Sequence, residues 1–453
     1  MKTKRNLLQV WLLCAAVLSV VTCEAQPATK IAARSSHSLF LKSDSSLWAM
    51  GWNPYGQLGD CTNNKTNRPE QIVSSGITAI AVFNYSLFLK SDGSLWAMGN
   101  NGGGQLGDGT YNSNGTNRPE QIVASGVTAI AAGGGHSLFL KSDGSLWASG
   151  GNGDGQLGDG TYGDTNRHKQ VVAGDVTAIA GGLYHSLFLK RDGSLWAMGN
   201  NLNGQLGDGT YNHTNRPEQI VSSGVTAIAA GDYHSLFLKT DGSLWAMGGN
   251  SDFFGDACGQ LGDGTWNKTN RPEQIVASGV TAISAGVAHS LFLKSDGSLW
   301  AMGHNFDGEL GVGTAIATNR PEQVVANNVT AIAAGGSYSL FLKSDGSLWG
   351  MGANGNGELG DGTYNYPVNR PEQIAASPPG FNRISPQLLS DGSVCLSFVG
   401  MAGTNYALDR SISLMPANWV PQATNPADVA GVLVLTNAPD PTANNFWRIR
   451  SVP

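Results

Sequence analysis

The sequence predicts an all-β protein whose main body is a seven-bladed β-propeller, with a small β-sandwich-like module after it. Three observations lead there. A unit of roughly 50 residues occurs seven times. Each copy holds three apolar stretches and a shorter fourth, separated by turn residues. Glycine fills 62 of 453 positions while only 13% of residues are charged, a composition that suits short strands and tight turns and leaves little room for long amphipathic helices.

The repeat is counted on its tryptophan: Trp48, Trp96, Trp147, Trp196, Trp245, Trp300 and Trp349 follow one another at 48, 51, 49, 49, 55 and 49 residues. Asp-Gly, a pair that tolerates positive φ, joins the apolar run HSLFLK to SLWAMG in six copies, and Asp44-Ser45 does so in the first. The Leu-Phe-Leu run does not alternate, so both faces of that strand should be buried, as between stacked blades. The small, Gly-terminated TAIAAG stretch suits the crowded axis. The array begins at Lys30 with no EQI-type strand before it and ends on Pro371 to Ala375 with no TAIAAG strand after it. The expectation is therefore that this C-terminal strand pairs into the first blade and closes the ring, removing open sheet edges.

The ordered series VTAIAAG, HSLFL with DGSLW, and GQLGDGT resembles the repeat of the regulator-of-chromosome-condensation (RCC-type) propellers, in the secreted bacterial type, over residues 30–376. The resemblance implies the seven-bladed fold. It does not fix a function, since that fold serves as an exchange factor for a small GTPase, a plant light sensor and a secreted inhibitor of β-lactamases.

Residues 1–25 read as a signal peptide: Lys2, Lys4 and Arg5, an apolar run from Leu7 to Val21, then small residues ending at Ala25. Secretion, or residence in the periplasm or cell envelope, is expected; a lipid tether at Cys23 is the less favoured alternative because Thr22 stands where a smaller residue is usual. No later stretch is long enough for a spanning helix. Removing the leader leaves Cys61, Cys258 and Cys395, which form no disulfide framework. The formal charge is −6, or −8 without the leader, and no basic stripe exists, so nucleic acid is not an expected partner. Residues 377–380 (Ser-Pro-Pro-Gly) read as a linker, and residues 381–453 as the C-terminal module, with Tyr406, Trp419 and Phe446-Trp447-Arg448 as core positions.

Three recurring positions invite chemistry. His37, His136, His185, His234 and His289 share one place, which Tyr85 and Tyr338 take in the other copies. Equivalent positions on seven blades stand too far apart for ligands that must lie about 2.1 Å from one ion, so a hydrogen-bonding structural role is expected and a metal is not. The aspartates of GQLGDGT (Asp60, Asp108, Asp159, Asp208, Asp263, Asp361, with Val312 in the sixth copy) lack calcium-loop spacing and are read as turn formers. The seven tryptophans are read as packing residues. No nucleophile, metalloprotease or phosphate-loop motif appears, so no enzyme activity and no cofactor are expected.

Recognition in a symmetric array belongs where symmetry breaks. The largest break is the insertion behind the 55-residue spacing, with Phe253 and Phe254. Trp266, Trp52, Tyr55, Tyr111, Tyr162, Tyr211 and Tyr364 fall in loops on the same side of the repeat, and these nine residues are the candidate partner-binding set. The expected function is a monomeric, non-catalytic scaffold that binds an unidentified protein or surface ligand. The alternatives are guanine-nucleotide exchange on a small GTPase, or a carbohydrate-active enzyme centred on the channel.

Overall fold

In the computed structural model, described for residues 26–252 and 255–375 and for the backbone of six further strands between Ile384 and Ser451, every element is a strand. The leader, Phe253, Phe254, the linker and Trp419 lie outside the described residues. The six late strands form two three-stranded sheets, one of Ile384–Leu388, Val394–Val399 and Val432–Asn437, the other of Val420–Pro426, Asn405–Ser411 and Phe446–Ser451.

Residues 28–375 form seven four-stranded antiparallel sheets, one per repeat, each in simple meander order. Blade 1 is Ala28–Arg34, His37–Lys42, Leu47–Gly51 and Thr66–Val73; blade 7 is Val329–Ala334, Tyr338–Lys343, Leu348–Gly352 and Val368–Ala375. The first strands line the axis, because Arg34, ending the first strand of blade 1, reaches the carbonyls of Ala230 and Ala285, which end the first strands of blades 5 and 6. The second strands are buried on both faces throughout, as their unbroken apolar run predicts. The fourth strands form the rim, where Pro69 and its counterparts cost no ladder bond.

Closure differs from the expected strand exchange. Val368–Ala375 pairs with the third strand of its own blade, Leu348 opposite Ala375, and not with blade 1. The exchange is unnecessary because each repeat, starting on its axial strand and ending on its rim strand, is already a whole blade, and blade 1 owns its rim strand Thr66–Val73. The seam is sealed face to face: Tyr338, Leu340 and Leu348 of blade 7 pack with Phe40 and Met50 of blade 1, as Leu39 and Leu47 of blade 1 pack with Phe88 and Met98 of blade 2.

A hydrogen-bonded clasp spans every junction. Ser86 of blade 2 donates its one hydroxyl proton to Gln57 O of blade 1 (2.7 Å), so it must accept from His37 Nε2 of blade 1 (2.9 Å). His136, His185, His234 and His289 repeat the arrangement on Ser186, Ser235, Ser290 and Ser339. Tyr85 and Tyr338 reach instead to the next blade's backbone, at His136 O and His37 O, both 2.5 Å. The last of these closes the ring. Each imidazole thus carries its proton on Nε2, while Nδ1 is buried with no hydrogen-bond partner. Burial lowers the pKa of His37 to about 3 and of His136 to about 4. The shared position is structural, as expected.

The tryptophans are also packing residues. Trp48 stacks on Phe40 at 6.2 Å, its Nε1 donates to Ser46 Oγ (2.8 Å), and Lys42 Nζ lies 3.6 Å above its ring; all seven blades repeat this. In the GQLG loops one glycine lets the next blade approach: a Cβ on Gly59 would lie 2.3 Å from Met98 Sδ, and one on Gly360 2.3 Å from Met50 Sδ across the seam. Blade 3 departs twice from this pattern. Ser149 stands where the methionine should, and His168 replaces the rim proline. The His168 ring fills the methionine's place, against Gly107 and edge-on to Phe139 at 4.8 Å.

Two stability measurements follow from these contacts. A neutral buried histidine stabilises the fold fully above its unfolded pKa of about 6.5, and that stability is lost as pH falls toward the folded value. His136→Tyr, which installs the side chain that blades 2 and 7 use, should reduce the stability difference between pH 7 and pH 5 in urea unfolding by about 2 kcal/mol. In the second, Ser149→Met alone overpacks the Gly107 contact and should cost about 1–3 kcal/mol. Adding His168→Pro should recover most of that cost, and an additive double-mutant cycle would refute the pairing of the two departures.

Candidate functional site

Because the strands alternate in direction, the turn between the first and second strands and the loop between the third and fourth open on the same face of the ring. All ten exposed large apolar side chains among the described residues lie in these turns and loops, and none lies on the Asp-Gly hairpin face. Of the predicted set, Tyr111 (55% exposed), Tyr162, Tyr211, Trp266 (46%) and Tyr364 stand directly after GDGT in blades 2, 3, 4, 5 and 7. Equivalent places on five blades spread them round the face instead of gathering them into one patch. Two are braced from the next blade: Lys65 Nζ lies 4.7 Å over Tyr364, and Lys268 Nζ 4.8 Å over Tyr211.

Trp52 and Tyr55 are half-buried and pack edge-to-face on each other at 5.4 Å, so much of their surface is already covered. Reading the repeat missed Leu202 and Phe306, which follow Asn201 and Asn305 where blades 2, 3 and 7 have glycine, and Tyr366. The signal was there, as large residues at a position that is otherwise glycine. The GDGT aspartates make turns: Thr62 N donates to Asp60 Oδ1 at 2.8 Å, and the other five copies do the same.

One mouth of the axial channel is filled. At the end of the first strand, blades 3 to 7 carry glycine, blade 1 carries Arg34 and blade 2 carries Phe83. The buried Arg34 crosses the axis, donating to Ala285 O (2.6 Å), Ala230 O (3.1 Å) and Asp232 Oδ1 (2.6 Å), with Phe83 packed 5.3 Å from its guanidinium carbon. Burial pushes the Asp232 carboxyl up, and Arg34 works against that shift. An arginine where five blades carry glycine, and an aspartate beside the glycine of blade 5, were the traces of this pair in the sequence.

Beside this mouth, two adjoining cavities of about 260 and 350 Å³ share Val287, Asp307, Gly336 and Ser337. Here symmetry fails most. The GQLG loop reads GELG in blades 6 and 7, placing Glu309 and Glu358 where five blades bury glutamine. Glu309 is hydrogen-bonded to His304 Nδ1, and Asp307 accepts from Tyr366 OH. Burial raises the pKa of both glutamates; Tyr366 is pushed to about 12 by its bond to Asp307, and the Cys258 thiol to about 12 by burial and Asp252. Burial opposes a charge on His304, but the bond to Glu309 and the surrounding carboxylates outweigh it and raise its pKa.

A ring of whole blades with this repeat defines an RCC1-like propeller. Residues 13–251 match the RCC1-like domain family, and residues 280–309, 329–358 and 296–342 match the RCC1 repeat; the chain belongs to this family. Among solved structures, human WBSCR16 is 22% identical with a TM-score of 0.65, the match covering 73% of this chain and 95% of that one. Yeast RCC1 (Prp20) bound to Kap60 is 22% identical with a TM-score of 0.64, covering 78% and 85%. The likeness to both is one of fold. No curated protein matches the sequence.

Removing the channel cation should be costly. Arg34→Ala leaves Asp232 buried without its partner and should lower stability by about 3–5 kcal/mol. Arg34→Gly combined with Asp232→Val, which copies the residues of blade 6, should regain most of it in urea unfolding; a double variant as unstable as Arg34→Ala would show that the pair is not the cause.

Proposed function

We propose that the chain is an exported, non-catalytic binding scaffold that engages a macromolecular partner, a protein or another surface ligand, through the loop face. The observation that carries the reading is the confinement of every exposed large apolar side chain among the described residues to that face. A partner-free propeller has no physical reason to load one face with aromatics and leave the other with repeated Asp-Gly turns. Family membership supports a binder or regulator, and yeast Prp20p, a propeller of the same fold, is described with its binding to Gsp1p and histones. The exchange-factor alternative rests on resemblance alone. The catalytic alternative has one observation in its favour, the carboxylates converging beside the channel mouth. A chromogenic glycoside panel on which Asp307→Asn abolishes turnover would bring it forward.

The test uses the full-length protein as bait in its native extracellular fluid, with quantitative mass spectrometry. Trp266→Ala together with Tyr211→Ala should weaken capture of the specific partner by at least about 30-fold while leaving thermal unfolding in place. Arg191→Ala on the opposite face should change neither. Undiminished capture by the double variant would remove the loop face from consideration.

A further inference from the structure

The insertion in blade 5 and the neighbouring loop of blade 6 bring three kinds of metal-ligating atom together. Asp252, Cys258 and His304 have their ligand atoms within 4.8 Å of one another, and so do His304, Asp307 and Glu309. His304 belongs to both groups, so nitrogen, sulfur and oxygen donors from two blades gather in two sets of three that share one imidazole. The backbone builds this meeting point. Ser251 and Ala257 form a β-bridge, and Cys258 N is held by Asn250 O at 3.0 Å. Cys258 takes the place before GQLG that Asp154 has in blade 3. There Asp154 Oδ1 meets Asn200 of the next blade at 2.9 Å, and the residue that corresponds to Asn200 in blade 6 is His304. The repeat geometry therefore aims the blade 5 thiol at the blade 6 imidazole.

Two further observations point to a cation. Glu309 makes the same backbone contact as the glutamines it replaces: its Oε2 accepts from Asp307 N at 3.1 Å, as Gln57 Oε1 accepts from Tyr55 N at 3.1 Å. The fold thus needs only a neutral acceptor there, and the carboxylate offers a second oxygen, which is turned to His304. In addition, the wholly buried Gln260, two residues after Cys258, donates to Ser251 O of the insertion and is left with an Oε1 that has no partner. Its Cα abuts Gly303, the residue before His304.

We propose that this junction is a binding site for one zinc ion, with His304, Cys258 and Asp252 supplying nitrogen, sulfur and oxygen and the carboxylate of Glu309 completing a four-donor shell beside Asp307. Mixed nitrogen, thiolate and carboxylate donors suit Zn²⁺, whereas calcium and magnesium prefer all-oxygen shells. Tetrahedral donors about 2.1 Å from zinc stand about 3.4 Å apart, so within each group of three, whose ligand atoms lie within 4.8 Å of one another, side-chain rotations of an ångström or so suffice. The ion would tie Asp252 and Cys258 of blade 5 to blade 6 and balance the clustered carboxylates. The inference stands apart from the identity of any partner, since its readout is the metal itself.

The experiment treats the full-length protein with chelator, removes the chelator, and titrates it separately with Zn²⁺, Ca²⁺ and Mg²⁺ by calorimetry, with Co²⁺ as a spectroscopic stand-in for zinc. Expected are one Zn²⁺ per chain bound much more tightly than Ca²⁺ or Mg²⁺, a rise in the unfolding temperature with zinc, and a thiolate-to-cobalt charge-transfer band. Glu309→Gln, which restores the residue of five other blades, should fold normally and bind zinc at least about ten-fold more weakly. Cys258→Ser should abolish the charge-transfer band. Stoichiometric zinc binding unchanged in Glu309→Gln and His304→Ala, absence of zinc uptake by the folded wild type, or a preference for Ca²⁺ would each overturn the proposal.

Discussion

The ring depends on one short relay repeated at each blade junction, in which an imidazole or phenol of one blade meets a buried serine or carbonyl of the next, and that serine binds back to the first blade's backbone. Apolar packing of Leu, Phe and Met supplies most of the driving force for blade association, but it is non-directional and would tolerate slippage. The relay sets the register. A buried serine hydroxyl or Gln carbonyl left unmatched would cost free energy at every slipped junction. Seven such constraints summed around a closed circle permit one arrangement of blades.

Against this regularity the departures acquire meaning. In the blade 3 exchange of methionine and proline for Ser149 and His168, the imidazole packs against Gly107 and Phe139 and its buried nitrogens make no hydrogen bond, so it is a packing variation. Arg34 and Asp232 fill one axial mouth with a charge pair that replaces glycine and small apolar neighbours. Glu309, Glu358, His304 and Asp307 do something else again: they place charge next to a cavity at the boundary of three blades. Only the last group combines asymmetry, burial and access.

The blades were legible because Trp48 and its counterparts, the Asp-Gly turns and the unbroken Leu-Phe-Leu runs report local geometry, and local geometry repeats. The roles of His37 and Asp60 were legible for the same reason, as a position shared by many copies is a scaffold position. Closure was misread, because the first and last apolar stretches of a repeat look alike as strands and only pairing shows that Thr66–Val73 already belongs to blade 1. The exposure of Trp266 and Tyr111 followed from their loop context, while the mutual packing of Trp52 and Tyr55 did not. The His304, Glu309 and Cys258 cluster was hidden because its members lie up to 51 residues apart and each alone passes for an ordinary substitution within the repeat.

That the ring is sealed at the seam by the same kind of face-to-face packing and hydrogen bonding as at the other junctions has a topological consequence. With no strand lent from one end of the chain to the other, the circle has no privileged starting point, and severing it between any two blades breaks only a connecting link on the hairpin face. The ring resembles a bracelet with seven clasps, five built on histidine and two on tyrosine, whose order of beads determines what the outer loops present.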